Sequence, residues 1–363
     1  MVRDLGYRRV QCTGRGAYII SLPKEWVDEI PIEKGSEIDF IVNDDLSLLL
    51  IPRRIMEKKF EERLKLNEYW INVSSKDDVE ALCRKITALY VVGASLIHMR
   101  FSSDIGNSTQ FKLSIRSLIR NTLLGSEIID EDQHELTIQI LINHLEFPVE
   151  KAIRRMFVLA LLADKSSILA IRDFNQNLVG EVVSICSDVN RLNLYVIRQL
   201  KFGLEHNLYK DLGFKSPKEF LGYRIVVNVL KNIAENALNL MDGIAALKRM
   251  IDEQILFIKE PLDEEDYSQI LQFNVSAHRL LEDSLKAMLK RDYALADKVI
   301  AKSKDAAAAE GNLIALISTK KIDPNIAAIL RLAIDNTRRV MEYSRDISEV
   351  TLNRTVEEVA LKD

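Results

Sequence analysis

Residues 8–54 most constrain what this chain can fold into, because they read as short strands that cannot cover one another. Strand-like alternation over residues 9–13 and an apolar run over residues 17–22 flank a glycine–arginine–glycine turn. Pro23 then opens a short predicted helix, since its fixed φ suits a first helical position. A predicted hairpin over residues 37–51 follows. A unit this small cannot bury enough apolar surface alone, so the rest of the chain or a second copy must supply another layer.

The beginning of this stretch is basic. Residues 1–24 contain five basic residues against one acidic residue, a net charge of +4. Four of the cations are candidate contacts to DNA: Arg8, Arg9, Arg15 and Lys24. Neutralising phosphates releases counterions and makes the affinity salt-dependent, and the glycines beside Arg15 allow a close approach to a groove. The alternative is that these arginines are only solvated residues on a strand face.

The order of these pieces resembles the AbrB/SpoVT family of swapped-hairpin DNA-binding modules. The resemblance rests on the runs VQCTGRGAYIISLPKEW, KGSEIDF and LLLIP, all within residues 1–52. In that family two copies interleave their strands into one dimeric barrel. The resemblance therefore implies a first domain over residues 1–54 that forms a homodimer, or part of a higher homo-oligomer, and binds double-stranded DNA.

Residues 67–147 predict a small α+β domain after a charged connector at residues 55–66. Predicted strands cover residues 68–73, 95–101, 127–130 and 135–142, and predicted helices cover residues 77–92 and 112–124. No motif in this region identifies a ligand. Its histidines, His98, His134 and His144, lack metal-ligand spacing, so we expect ordinary surface or half-buried side chains.

From residue 148 onwards the pattern is helical throughout. Predicted helices cover residues 149–166, 168–202, 217–252, 264–291, 293–318 and 325–359. Residues 172–183 match residues 291–300, and residues 232–236 match residues 339–343. These matches indicate two tandem three-helix units, over residues 148–258 and 262–363. Long helices joined by short links form antiparallel bundles.

The duplicated bundle resembles the PhoU family of phosphate-uptake regulators. The resemblance is carried by RRMFVLALLADKSSIL, VVNVLKNIAENALNL and TRRVMEYSRDISEV. Archaeal members join an AbrB-type module to PhoU repeats, in the order seen here. The expected fold class is therefore multidomain, with a β-rich swapped-hairpin module, a small α+β domain and all-α tandem three-helix bundles.

The PhoU resemblance also raises the question of metals, since PhoU bundles often carry metal clusters on carboxylates spaced i and i+4. The matching positions here hold Cys186, Lys231 and Arg338 among others, so most acidic ligands are missing. Nearby oxygen donors leave four weak metal candidates: Asp188, Glu235, Glu342 and Asp346. We expect no metal or other cofactor. Instead, Lys231 is predicted to pair with Glu235 and Arg338 with Glu342, each replacing a metal bridge by an ion pair.

Composition limits the class of protein. The chain is 47% hydrophobic and 29% charged, with a net charge of −4, which is typical of a globular protein whose nucleic-acid contact is local. The N-terminus lacks an apolar signal region and the apolar runs are too short to span a bilayer, so we expect a cytoplasmic protein without membrane insertion. The three cysteines lack CxxC spacing and are expected to be small buried side chains.

Two functions follow from these patterns, and neither is enzymatic, because the sequence contains no P-loop, GxGxxG, HExxH or GxSxG motif. The first is a transcription regulator that binds DNA through the N-terminal module while the helical repeats sense or relay a signal linked to phosphate. The alternative is an adaptor that docks on a phosphate transporter or signalling protein and uses the module only to dimerise. The basic N-terminal segment favours the first. A small antitoxin-type module is disfavoured, because most of the chain follows the hairpin.

Overall fold

The computed structural model describes residues 4–14, 16–30, 32–42, 46–53, 67–103, 109–142, 147–175, 177–256, 263–320 and 322–360. The chain divides into two compact units, Met1–Leu66 and Asn67–Asp363. Three features that the sequence singles out lie outside the described residues: Arg15, the connector at residues 55–66, and His144.

The described residues of the first unit form two small antiparallel sheets and one short helix. Its elements are β1 (Gln11–Cys12), β2 (Tyr18–Ile19), α1 (Lys24–Glu29), β3 (Ile38–Val42) and β4 (Leu48–Pro52). β1 pairs with β2, and β3 pairs with β4 in register from Ile38↔Pro52 to Val42↔Leu48. The order of elements is the predicted one, and Pro23 stands at the N-cap of α1 with the extended ψ of 130°.

The second unit begins with a four-stranded sheet and two helices. These are β5 (Glu68–Val73), α2 (Val79–Val91), β6 (Leu96–Phe101), α3 (Thr109–Asn121), β7 (Ser126–Glu131) and β8 (Glu135–Ile140). The sheet order is β5-β6-β8-β7, with β5 parallel to β6 and the other pairs antiparallel. Alternate strand residues such as Ile97, Met99 and Ile138 are fully buried in one core with side chains of α2 and α3. The predicted small α+β domain is present.

Long helices form the rest of the second unit. They are α4 (Val149–Ala170), α5 (Asn177–Glu205), α6 (Glu219–Asp252), α7 (Glu264–Lys290), α8 (Tyr293–Ser303), α9 (Ala306–Thr319) and α10 (Pro324–Val359). α4, α5 and α6 pack on one another, α10 packs on α7 and α8, and α6 packs on α10. One hydrophobic core runs through both helical groups. Among the described residues, every helix is too short or too polar to cross a bilayer.

Two predicted helix boundaries are wrong. The break placed after residue 166 is absent, because Ser166 and Ser167 are buried inside α4 and the Ser167 hydroxyl donates to the Asp164 carbonyl at 2.7 Å. α4 ends instead before a turn in which Phe174 has φ +49°. The helix predicted over residues 293–318 is divided into α8 and α9. At the division the N–H of Lys304 bonds Ala301 and that of Asp305 bonds Lys302, so the backbone tightens to i−3 bonds.

α5 holds the α+β domain on the helical region. Arg198 of α5 is 3% exposed, its guanidinium donates to the Tyr90 carbonyl, and its Cζ lies 5.1 Å from the Tyr90 ring centroid. Tyr90 stands in the last turn of α2, where the helix dipole is negative and favours a cation. The Ser187 hydroxyl also donates to the Asn121 carbonyl at the end of α3, at 3.2 Å. The two helices that cover the sheet are therefore both tied to α5.

Candidate nucleic-acid interface

The first unit leaves most of its large apolar side chains exposed. Pro52 is the single buried residue among the described residues of this unit, and α1 buries none of its side chains. The exposed set comprises Tyr7, Val10, Tyr18, Ile19, Ile20, Phe40, Val42, Leu46, Leu48 and Leu49. Within the described part of the unit, both small sheets thus lack a covering layer, and an apolar surface of this kind marks an interaction site.

Cys12 belongs to the same exposed surface. The sequence predicts buried cysteines, but Cys12 in β1 is exposed, and Cys83 and Cys186 are partly buried. The prediction is wrong for Cys12 because strand pairing alone, without a second layer, cannot bury a β1 side chain.

The candidate DNA-binding cations surround the β1–β2 sheet in the sequence. Arg8 and Arg9 precede β1 and are separated from it by Val10, Lys24 opens α1 after β2, and all three side chains are exposed. The Arg8 guanidinium donates to the neighbouring Tyr7 carbonyl at 2.9 Å. Charge is polarised along the unit, since residues 25–39 hold six acidic residues and one basic residue. The positive end of the unit is therefore the segment that contains β1, β2 and their turn.

The turn between β1 and β2 is tight and internally bonded. The Thr13 N–H donates to the Ala17 carbonyl at 2.8 Å, and the Gly16 N–H donates to the Thr13 carbonyl at 2.9 Å. Gly16 has φ +81°, a conformation that glycine adopts without a steric cost. This confirms the turn predicted around residue 15.

The positions that match the PhoU metal ligands hold ion pairs. Lys231 Nζ lies 2.8 Å from Glu235 Oε1, as predicted. Arg338 bonds Glu342, also as predicted, and its guanidinium lies in addition 2.9 Å from Glu310 and 3.3 Å from Asp335. One guanidinium thus pairs with three carboxylates at these positions.

The other candidate positions are individually poor ligands. Burial, with the charges of Glu235 and Asp242, raises the pKa of Cys186 to about 11, and its thiol donates to the Ala234 carbonyl at 3.0 Å. Burial also raises the pKa of Asp346. Asp188 lies 3.7 Å from the Arg191 guanidinium. Within the described ranges, no group of three or more His, Cys, Asp or Glu side chains is placed to hold a metal ion.

Sequence reasoning missed a buried polar cluster that joins the two helical groups. Asp164 of α4 is 1% exposed, and its Oδ2 accepts from Asn274 Nδ2 at 2.7 Å and lies 2.7 Å from His278 Nε2. Asn274 also lies 3.4 Å from the Thr337 hydroxyl of α10. The sequence indicates this cluster only by a lone carboxylate, that of Asp164, within an apolar stretch of α4. The partners of Asp164 are more than a hundred residues away, so no local pattern identifies them.

Comparison with known proteins gives a family match for the N-terminal region and structural similarities that include two PhoU proteins. Residues 13–58 match the family described as "Antidote-toxin recognition MazE, bacterial antitoxin". The phosphate transport system regulatory protein PhoU from Streptococcus pneumoniae is 15% identical, with a TM-score of 0.46 over 59% of this chain and 96% of that chain. PhoU from Pseudomonas aeruginosa is also 15% identical, with a TM-score of 0.40 over 58% and 96% of the two chains.

No curated protein sequence matches the chain. The N-terminal module is of the MazE/AbrB-like type, in agreement with the resemblance inferred from the sequence, and PhoU proteins are structural neighbours of the chain.

Proposed function

We propose that this chain is a dimeric DNA-binding regulator linked to phosphate uptake or phosphate signalling. The first unit binds duplex DNA, and the helical repeats sense or relay the signal. The observation that carries the proposal is a unit with a basic end, two uncovered sheets and, among its described residues, one buried side chain.

The uncovered sheets favour pairing with a second copy. Fully burying one large apolar side chain contributes about 2 kcal/mol. The exposed set has ten members that are 47–86% exposed, so burying half of it contributes about 5 kcal/mol per copy, or about 10 kcal/mol for a pair. That gain is comparable with the entropy lost on association. It agrees with the interleaved dimer that the AbrB-type resemblance implies.

A dimer doubles the exposed cations next to β1 and α1. Arg8, Arg9 and Lys24 are exposed, and Arg15, which lies outside the described residues, stands between two glycines in the sequence. Basic side chains on a glycine-rich turn suit contact with phosphates or a groove edge. In the sequence, the acidic residues follow the basic segment.

The link to phosphate rests on sequence. Residues 154–169, 226–240 and 337–350 resemble the PhoU family, and the protein from Streptococcus pneumoniae is named a phosphate transport system regulatory protein. The Lys231–Glu235 and Arg338–Glu342 pairs support repeats that work as a scaffold or partner surface without a metal cluster.

A salt series tests DNA binding. Fluorescence anisotropy is measured with duplex DNA from the region upstream of the chain's own coding sequence, for the wild type and for Arg8→Ala/Arg9→Ala/Arg15→Ala. Each phosphate contact removed lowers the slope of log affinity against log salt by about 0.9. A matched control removes three exposed lysines of the helical region, Lys201→Ala/Lys286→Ala/Lys298→Ala. We expect a weaker affinity and a shallower slope for the arginine variant alone.

The second candidate function is an adaptor, because dimerisation alone explains the exposed apolar set equally well. In that case the helical repeats dock on a phosphate transporter or a signalling protein. Sedimentation must first show that both variants keep the wild-type oligomeric state. Equal, weak DNA binding by the wild type and the arginine variant at low salt would then exclude the DNA-binding regulator and favour the adaptor.

A further inference from the structure

The four-stranded sheet of the second unit presents a second face, opposite the core that it shares with α2 and α3. The strand registers align the side chains of this open face in three cross-strand rows. The rows are Glu68–Leu96–Gln139–Glu127, Trp70–His98–Thr137–Asp130 and Asn72–Arg100–Glu135. Trp70, at the edge of the central row, is 56% exposed. A tryptophan exposed to this degree is unusual outside interaction surfaces, where it is enriched.

The indole of Trp70 is held in place by its neighbours. Its ring stacks on the His98 ring, with centroids 4.1 Å apart and planes inclined by 18°. The Arg100 guanidinium carbon lies 4.5 Å from the indole centroid. His98 is positioned in turn, since its Nδ1 lies 3.2 Å from the Thr137 hydroxyl. A partner that contacts Trp70 therefore meets a ring whose orientation is already fixed, which lowers the entropy cost of binding.

The open face is acidic. Its three rows contain four carboxylates, Glu68, Glu127, Asp130 and Glu135, and one guanidinium, that of Arg100. Glu135 Oε1 accepts from Arg100 Nε at 2.9 Å, so this pair is neutral as a whole. The remaining three carboxylates are exposed and lie at both ends of the rows, and Glu68 Oε2 is 3.6 Å from His98 Nε2. The face thus combines an ordered aromatic side chain with an excess of carboxylates.

This combination decides between possible partners. Sheets that stack nucleic-acid bases on aromatic rings line their grooves with positive charge, whereas these carboxylates would repel phosphates. A second copy placed face to face would set carboxylates against carboxylates. An arginine or lysine side chain, by contrast, is attracted by the carboxylates of the face, and its aliphatic part can pack on the exposed part of the indole.

We propose that this open sheet face, defined by the three cross-strand rows, is a docking site for an arginine- or lysine-rich segment of a partner protein. The proposal is independent of DNA binding by the first unit. Arg100 already contacts Trp70 in the way that a partner's cation would, with Glu135 as its carboxylate. The partner's cations would pair with Glu68 at the β5 edge of the face and with Glu127 and Asp130 at the β7 edge.

Trp70 fluorescence provides the test. The chain contains two tryptophans, so Trp26→Phe in the full-length protein leaves Trp70 as the sole indole reporter. The probe is a short blocked peptide that alternates arginine with glycine, compared with the matching glutamate–glycine peptide. In the same background, Glu68→Gln/Glu127→Gln/Asp130→Asn removes the acidic charge of the face. Glu181→Gln/Glu282→Gln/Asp297→Asn removes three exposed carboxylates of the helices as the matched control.

We expect a saturable change in Trp70 emission with the arginine peptide and none with the glutamate peptide. Affinity should fall about tenfold in the face variant and stay near the parent value in the control variant. An equal loss of affinity in the two variants would show that the peptide responds to the overall negative charge of the protein, and this would overturn the proposal. It would also be overturned if single-stranded oligothymidylate changed Trp70 emission instead, or if sedimentation showed self-association that Trp70→Ala abolishes. Circular dichroism melting confirms that each variant is folded.

Discussion

At the scale of single residues, the helical region shows how a charged position can be stabilised without a metal. Arg338 lies among Glu310, Asp335 and Glu342, and each of these carboxylates would repel the others if the guanidinium were absent. The sequence predicts the Glu342 pair from its i,i+4 spacing. It does not predict Glu310, which comes from α9, because contacts between helices depend on packing that spacing does not determine.

Replacing Arg338 by methionine should therefore destabilise the fold by about 1–2 kcal/mol, the sum of several partly exposed ion pairs. Urea unfolding measures the loss. Arg339→Met, which removes one more exposed pair with Asp335, is the control and should cost only a few tenths of a kcal/mol. Equal losses for the two variants would show that Arg338 does not hold the carboxylates together.

Cys186 should make stability fall at alkaline pH. Burial raises the pKa of its thiol to about 11, from 9.0 in the unfolded chain, so both states are protonated below pH 9. Between pH 9 and 11 the unfolded thiol ionises while the folded one stays neutral, which favours unfolding. The free energy of unfolding falls by about 1 kcal/mol at pH 11, a value reduced to allow for the partial exposure of the thiol. Urea unfolding at pH 9 and pH 11 should show a smaller fall in stability for Cys186→Ala than for the wild type. An identical fall in the two proteins would show that Cys186 is not its cause.

At the scale of elements, close helix contacts depend on residues that pattern reading passes over. A Cβ atom on Gly222 of α6 would lie 2.5 Å from Val350 Cγ1 of α10, and Val350 is buried and stiff at χ1. Gly222→Ala should thus destabilise by about 1–3 kcal/mol through overpacking, despite a gain in helix propensity. Gly180→Ala on α5 has open space around the new methyl and should stabilise by about 0.5–1 kcal/mol. We expect thermal melts to show a lower melting temperature for Gly222→Ala and a higher one for Gly180→Ala. A higher melting temperature for both variants would contradict the close contact between Gly222 and Val350.

Most elements follow from sequence because their signals are local. Period-two alternation identifies β5 and β6, and Pro23 identifies the start of α1, since each depends on neighbouring residues alone. The rows of the open sheet face could not be derived in this way. Trp70 meets His98 only because β5 and β6 pair in parallel, and Thr137 joins them only because β8 lies between β6 and β7. Strand order is set by packing between distant segments, so it leaves no local pattern.

At the scale of the whole molecule, burial is distributed unevenly between the two units. The second unit covers its sheet with α2 and α3 and fixes those helices to α5 through buried contacts such as that of Arg198 with Tyr90. The described part of the first unit buries Pro52 alone. The second unit thus contains its own cores, whereas the first depends on an additional surface.

Assembly through the first unit should therefore be separable from the stability of the second. The wild type is expected to sediment as a dimer or higher oligomer, and Ile19→Glu/Leu49→Glu should shift it to the monomer, because each glutamate places a charge in the apolar surface that a second copy covers. The helical melting transition should stay unchanged, since neither residue lies in the second unit. Leu204→Glu, which alters an equally exposed leucine of α5, should keep the wild-type mass and serves as the control. A wild-type monomer across the micromolar range would contradict the pairing of first units and require another partner for the exposed sheets.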